Sequence, residues 1–102
     1  MWKNWKIDQS LLDFGQHLKI ARLKRRLPQS LVAERAGISV QTLRKAEAGD
    51  PGVSIRIVAG IMYALGFGTP FGSLCAPVQD ELALELDEER LPKRIRRRKN
   101  EF

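Results

Sequence analysis

The chain has 102 residues, of which 43% are hydrophobic, and its formal net charge is +6. This length accommodates one domain with at most a short tail, and the basic balance favours a polyanionic partner. Residues 1–79 carry eleven Lys or Arg against five Asp or Glu, whereas residues 80–102 carry seven of each, so the excess charge belongs to the first part of the chain.

Several classes of function have no support in the composition. Cys75 is the only cysteine and His17 the only histidine, which excludes an internal disulfide and a Cys/His zinc site. There is no Ser-His-Asp or Cys-His set and no phosphate-cradling glycine loop, so we expect no enzyme, no metal and no cofactor. No apolar run is long enough to span a membrane, and the N-terminus lacks the apolar core of a signal peptide. We therefore expect a soluble cytoplasmic protein, with His17 on its surface and Cys75 buried as a small hydrophobe.

Residues 1–9 are predicted to form an N-terminal arm. Trp2 and Trp5 have large apolar surfaces, which either cover the body or a dimer interface, or lie with the neighbouring lysines on DNA or a partner. Ser10 is the predicted N-cap of a first long helix, in which apolar residues recur at helical spacing. Pro28 ends this helix and is suited to the first turn of the next.

Residues 29–49 have the pattern of two short helices joined by a tight turn. Ala33 is small, as the residue at a close helix crossing must be. Gly37 supplies the left-handed backbone that leaves the first helix, and Ser39 is a good N-cap for the second. The apolar contacts that fix the angle are assigned to Val32, Ile38, Leu43 and Ala46. This spacing predicts a helix-turn-helix.

The second of these helices has a polar face opposite its apolar one. With Leu43 and Ala46 inward, Val40, Gln41, Arg44 and Lys45 face outward. Gln and Arg read purine edges in the major groove, and Lys reaches guanine acceptors or a phosphate. The pattern therefore predicts double-stranded DNA as the partner, with these four residues reading bases and with Ser39 and Thr42 anchored to phosphates.

The remainder of the chain is also predicted to be helical. Ser54 caps a fourth helix, which ends at Gly66. Its predicted apolar stripe consists of Ile55, Val58, Ile61, Met62 and Leu65. A short fifth helix is expected from Thr69 through Cys75 to Pro77, and a further helix over residues 78–91.

We thus expect an all-α chain with a five-helix domain over residues 10–76 and a C-terminal extension over residues 77–102. The extension ends in a basic tail, whose cations are Lys93, Arg94, Arg96, Arg97, Arg98 and Lys99. Blocks of like charge often form interaction tails. Three interpretations stay open: a solvated end, a clamp on phosphates or the minor groove, and a segment that docks on a protein partner.

The stretch from Phe14 to Leu65 resembles the lambda-repressor-like, XRE-type helix-turn-helix domains. The residues that carry this resemblance are Arg22, Gln29, Val32, Ala33, Gly37, Ile38, Ser39, Thr42, Leu43, Glu47, Gly49, Ala64, Leu65 and Gly66. The resemblance implies that Gln29 contacts DNA and, with Ser39 and Thr42, anchors the protein to phosphates. It also implies that Glu47 forms a structural salt bridge with Arg22. Pro28 departs from the family pattern, because most relatives have Thr or Ser there and so a hydroxyl N-cap.

Two further segments look like those of the HipB-like antitoxins encoded beside HipA-type kinases: Gly49–Ser54 and Arg90–Arg96. That resemblance implies a homodimeric repressor that binds an inverted-repeat operator in its own operon and also binds the kinase toxin. The candidate dimer interfaces are the fifth helix with residues 78–91, or the arm with Trp2 and Trp5. The alternatives are a phage-type or stress-responsive regulator without a toxin, and a protein-interaction module that does not bind DNA.

Overall fold

The computed structural model describes residues 4–90 of the chain. Its α-helices are α1 (Trp5–Lys24), α2 (Gln29–Ala36), α3 (Val40–Glu47), α4 (Ile55–Leu65) and α5 (Glu81–Arg90). No strand occurs in residues 4–90, and the predicted all-α fold class is confirmed. None of the helices in this part of the chain is both long and apolar enough to cross a bilayer. The described residues divide into two compact units, one up to Phe71 and one from Gly72 onward.

The prediction that Ser10 is the N-cap of α1 was wrong, because the helix begins earlier in the chain. The cap is Asn4, whose side-chain oxygen accepts a hydrogen bond from the Lys6 backbone N–H at 2.9 Å. Asn caps helices as well as Ser does, and no Gly or Pro between the two candidates interrupts the helix. The predicted arm is therefore helical from Trp5 onward, and the Trp5 side chain is 73% exposed. Trp2 lies outside the described residues.

The connection between α1 and α2 is short and fixed by side-chain contacts. Arg25 follows the last residue of α1, and its Nη1 donates to the Ala21 carbonyl at 3.0 Å. The same guanidinium lies 5.0 Å from the centroid of the Phe67 ring, within the range of a cation–π contact. Helix α1 ends at Lys24, and Arg26 beyond it has a left-handed backbone with φ 55°, which does not continue a helix. The prediction that Pro28 ends this helix was therefore wrong. Pro28 occupies the N-cap position of α2, immediately before its first turn, without a side-chain cap.

The core of the first unit lies where α1, α2, α3 and α4 meet. Val32, Leu43 and Ile61 are its largest fully buried side chains. The apolar stripe of α4 differs from the predicted one, because Ile55 is 67% exposed while Ile57 packs against the core. Residues two apart point to nearly opposite sides of a helix at about 100° per residue, so burial of Ile57 turns Ile55 outward.

The predicted fifth helix is not an α-helix. Its place is taken by a 3₁₀ turn at Pro70–Ser73, and Pro77 begins a second 3₁₀ turn, Pro77–Gln79, instead of ending a helix. Cys75 has φ 59° and is exposed, so its predicted burial was wrong. That burial depended on a continuous helix with a fixed inward face, and the left-handed backbone at Cys75 interrupts it.

Helix α5 lies in the second unit and confirms the helix predicted over residues 78–91. Asp80 precedes it, and its side chain accepts a hydrogen bond from the Ala83 backbone N–H at 3.2 Å, as an N-cap does. The basic tail, from Lys93 to Lys99, lies outside the described residues. The predicted division into an arm, a domain over residues 10–76 and an extension stays a prediction.

Candidate nucleic-acid interface

Helices α2 and α3 are joined by the tight turn that their sequence predicts. Gly37 has φ 72° and ψ 32°, the left-handed conformation that ends α2. Beyond it, the Ile38 N–H donates to the Ala33 carbonyl at 2.9 Å. Ala33 is almost fully buried, and Ser39 Oγ accepts a hydrogen bond from the Thr42 N–H at 3.1 Å. The small residue, the left-handed turn and the hydroxyl cap therefore occupy their predicted places.

One face of α3 is fixed in the core and the other is open to solvent. Leu43, Ala46 and Glu47 are buried, whereas Gln41, Arg44 and Lys45 are exposed. The predicted outward face is thus present for these three polar residues. The only acid of α3, Glu47, is on the buried side, so the open face carries two cations and an amide.

Val40 departs from the predicted outward face. It is half-buried and packs against the core cluster. It is the first residue of α3, three positions before Leu43, and residues at that spacing lie on the same side of a helix. Part of its side chain nevertheless stays accessible, at the edge of the exposed face.

The two hydroxyls predicted to contact phosphates lie together at the start of α3. Ser39 Oγ and Thr42 Oγ1 are 2.9 Å apart and hydrogen-bonded to each other. Ser39 is exposed and Thr42 half-buried. The pair is at the N-terminus of α3, where the helix dipole favours a negatively charged group.

A buried ion pair fixes the C-terminal end of α3 against α1. Arg22 Nε donates to Glu47 Oε2 at 2.6 Å, and Arg22 Nη2 donates to Glu47 Oε1 at 3.2 Å. Arg22 Nη1 donates to the Leu27 carbonyl at 3.0 Å, so one guanidinium holds α1, the segment before α2, and α3. This is the residue pair that the family resemblance implies.

The ion pair continues to the protein surface through Gln29, the first residue of α2. Gln29 Nε2 donates to Glu47 Oε1 at 3.1 Å, and Arg44 Nε donates to Gln29 Oε1 at 3.2 Å. The sequence pointed to each of these residues, but it did not predict that Gln29 and Arg44 would be bonded to each other. No local sequence signal pairs these two residues, because they lie on different helices 15 positions apart.

Two helices held at a glycine turn, the second with a cationic open face, define the helix-turn-helix class of DNA-binding domains. A family model described as "Helix-turn-helix domain" matches residues 13–70, which is more than half of the 102-residue chain. The chain belongs to this family, and its fold is the all-α, lambda-repressor-like one. Comparison with curated proteins and with solved structures gave no match.

Proposed function

We propose that the protein is a sequence-specific repressor that binds double-stranded DNA through α3. The observation that carries this proposal is the division of α3 into a buried side with Leu43 and Ala46 and an open side with Gln41, Arg44 and Lys45. Family membership supports DNA as the partner. A helix fixed in this way presents its side chains to the major groove in one register.

The contacts fall into two kinds. Gln41, Arg44 and Lys45 read base edges, with Val40 making apolar contact at the rim of the groove. Ser39 and Thr42 contact phosphates and set the register, and the net charge of +6 adds an attraction that carries no sequence information.

The assembly we propose is a homodimer on an inverted repeat. A two-fold dimer of helix-turn-helix domains places its recognition helices about 34–36 Å apart, one turn of duplex, or a multiple of that. Exposed apolar side chains on the first unit support self-association, since a second copy that covered them would remove their apolar surface from water. Among them are Trp5, Leu12, Leu23 and Tyr63.

We further propose that the repressor is the antitoxin of a HipA-type kinase in a toxin–antitoxin operon. Support comes from the resemblance of Gly49–Ser54 and Arg90–Arg96 to HipB-like antitoxins. Co-expression with the product of the adjacent gene tests it: a kinase that stays bound at high salt supports the antitoxin. A repressor that binds its operator but no neighbouring product is instead a regulator without a toxin.

A protein-interaction module is the second class of function, and the open face of α3 opposes it. Protein-binding patches have apolar or aromatic side chains at their centre, whereas this face has Gln41, Arg44 and Lys45.

Selection of bound duplexes from a random pool, followed by titration of the enriched site, tests DNA binding whatever the operator sequence is. Arg44→Ala should weaken binding by about 1–3 kcal/mol and relax the preference at one base pair. Arg35→Ala is the matched control, since Arg35 is exposed on α2 and its loss changes the net charge equally. Enrichment of no common site, or equal effects of the two variants, would contradict the assignment.

A further inference from the structure

The four side chains Arg22, Glu47, Gln29 and Arg44 form one continuous hydrogen-bonded path from the core to the open face of α3. The first two are buried, Gln29 is half-buried, and Arg44 is exposed. Glu47 Oε1 accepts from both Arg22 Nη2 and Gln29 Nε2, and Gln29 Oε1 accepts from Arg44 Nε. The exposed guanidinium is therefore connected to an ion pair that cannot move without disturbing the core.

The chemistry of the partners fixes which end of the Gln29 amide faces which residue. An ionised carboxylate only accepts hydrogen bonds and a guanidinium only donates them. The amide nitrogen of Gln29 must therefore face Glu47, and its oxygen must face Arg44. The reverse orientation would place oxygen against oxygen and nitrogen against nitrogen.

In this arrangement Nε of Arg44 donates to Gln29 Oε1, and no hydrogen bond is described for the two terminal nitrogens of Arg44. Two parallel N–H groups of an arginine are the pair that matches O6 and N7 of guanine. A long arginine side chain has many accessible rotamers when it is unbound, and holding Nε in the free protein reduces the ordering that DNA binding requires.

We propose that Gln29 is a positioning residue that orients the Arg44 guanidinium to read a guanine. This inference rests on the proposed function for its DNA part. In this role Gln29 does not contact DNA directly. It affects the preference at the base pair that Arg44 reads only by holding the Arg44 side chain, and Glu47 holds Gln29 in turn.

The first test uses the free protein and needs no DNA. Relaxation of the side-chain ¹⁵Nε–H groups should give Arg44 a clearly higher order parameter than Arg35. Arg35, an exposed arginine with no described hydrogen bond, is the internal reference for a mobile guanidinium. In Gln29→Met, which keeps length and helix propensity but removes both bonds, Arg44 should become as mobile as Arg35. An Arg44 that is already that mobile in the parent protein would overturn the proposal.

The second test measures the preference for guanine at the base pair where Arg44→Ala relaxes specificity. Gln29→Met should lower that preference about tenfold, a usual size for directly coupled residues, and should change nothing further in the Arg44→Ala background. An equal loss in both backgrounds would show that Gln29 contacts DNA itself, and no loss in either would remove its role; both results overturn the proposal. If Arg44→Ala lowers the base preference at no position, the assignment of Arg44 to base reading is wrong. The NMR measurement on the free protein still decides whether Gln29 holds Arg44. Urea unfolding of Gln29→Met verifies that the variant is folded. The NMR comparison of Arg44 with Arg35 uses the parent protein, so it does not depend on whether any variant folds.

Discussion

Gly15 of α1 lies directly against Gly49, the second residue after α3. A Cβ atom at position 15 would be 2.6 Å from the Gly49 backbone nitrogen and 2.7 Å from the Ala46 carbonyl oxygen. A Cβ at position 49 would be 2.7 Å from the Leu11 carbonyl oxygen. Because backbone meets backbone here, neither side can yield by rotating a side chain. This contact and the Arg22–Glu47 ion pair together fix the end of the recognition helix against α1.

Gly15→Ala should destabilise the protein although alanine is the better helix former. Overpacking of this kind costs about 1–3 kcal/mol, which outweighs the gain of about 1 kcal/mol from replacing a helical glycine. Gly60→Ala in α4 is the matched control, since its new Cβ would meet only the Ala36 carbonyl at 3.6 Å and Cβ at 4.0 Å. We expect urea unfolding to show a loss for the first variant and a gain for the second. A gain for both would mean that α1 and α3 are not in close contact.

Arg22→Met should leave Glu47 as a buried charge without its main partner. Breaking one side of a buried ion pair costs about 3–5 kcal/mol, a large part of the total stability of about 5–15 kcal/mol of a small domain. In the double variant Arg22→Met/Glu47→Leu no charge is left buried, and the loss should be smaller than in the single variant. Urea midpoints at an unchanged slope provide the comparison. A double variant less stable than Arg22→Met would contradict the view that the unpaired charge is the main cost.

Two substitutions at Ser39 separate its capping role from its predicted phosphate contact. Ser39→Ala removes the cap of α3 and should cost about 1 kcal/mol of stability. Ser39→Asp keeps a capping oxygen and suits the helix dipole, so stability should be retained while DNA affinity falls, because a carboxylate would face the phosphate.

Ser54 supplies the control for the charge itself. It caps α4, where its Oγ accepts a hydrogen bond from the Ile57 N–H at 3.2 Å, and it is outside the predicted contact set. Ser54→Asp should therefore reduce DNA affinity less than Ser39→Asp at the same net charge. Equal losses from the two variants would remove Ser39 from the interface.

The proposed dimer has a direct test in sedimentation equilibrium. We expect the mass of a dimer at micromolar concentration, and we expect two protomers on one duplex that contains the inverted repeat. A monomer in both experiments would rule out the two-fold operator.

The turn of the helix-turn-helix could be predicted because its constraints are local. Ala33, Gly37 and Ser39 each meet a steric or capping demand set by a few neighbouring residues, and each is found where that demand places it. The N-cap of α1 was missed because the local capping rule does not choose between two candidates. Asn4 and Ser10 satisfy the same local rule, and the choice between them depends on whether the intervening residues break the helix.

Side-chain contacts between distant residues were less accessible to prediction. Arg22 and Glu47 are 25 positions apart, and only the family resemblance paired them. The bond from Gln29 to Arg44 depends on the angle at which α2 and α3 cross, which no local pattern specifies. Cys75 shows a related limit, because its predicted burial assumed a helix that a single left-handed residue interrupts.

A salt-titrated binding assay tests the central claim most directly. The protein is titrated with the duplex from upstream of its own gene and with a scrambled duplex of equal length and composition. We predict nanomolar binding to the first, binding to the second that is weaker by about a thousandfold or more, and a log–log salt slope that corresponds to several phosphate contacts. Equal affinity for both duplexes would contradict sequence-specific recognition by α3, and no binding to either would favour a protein-interaction module.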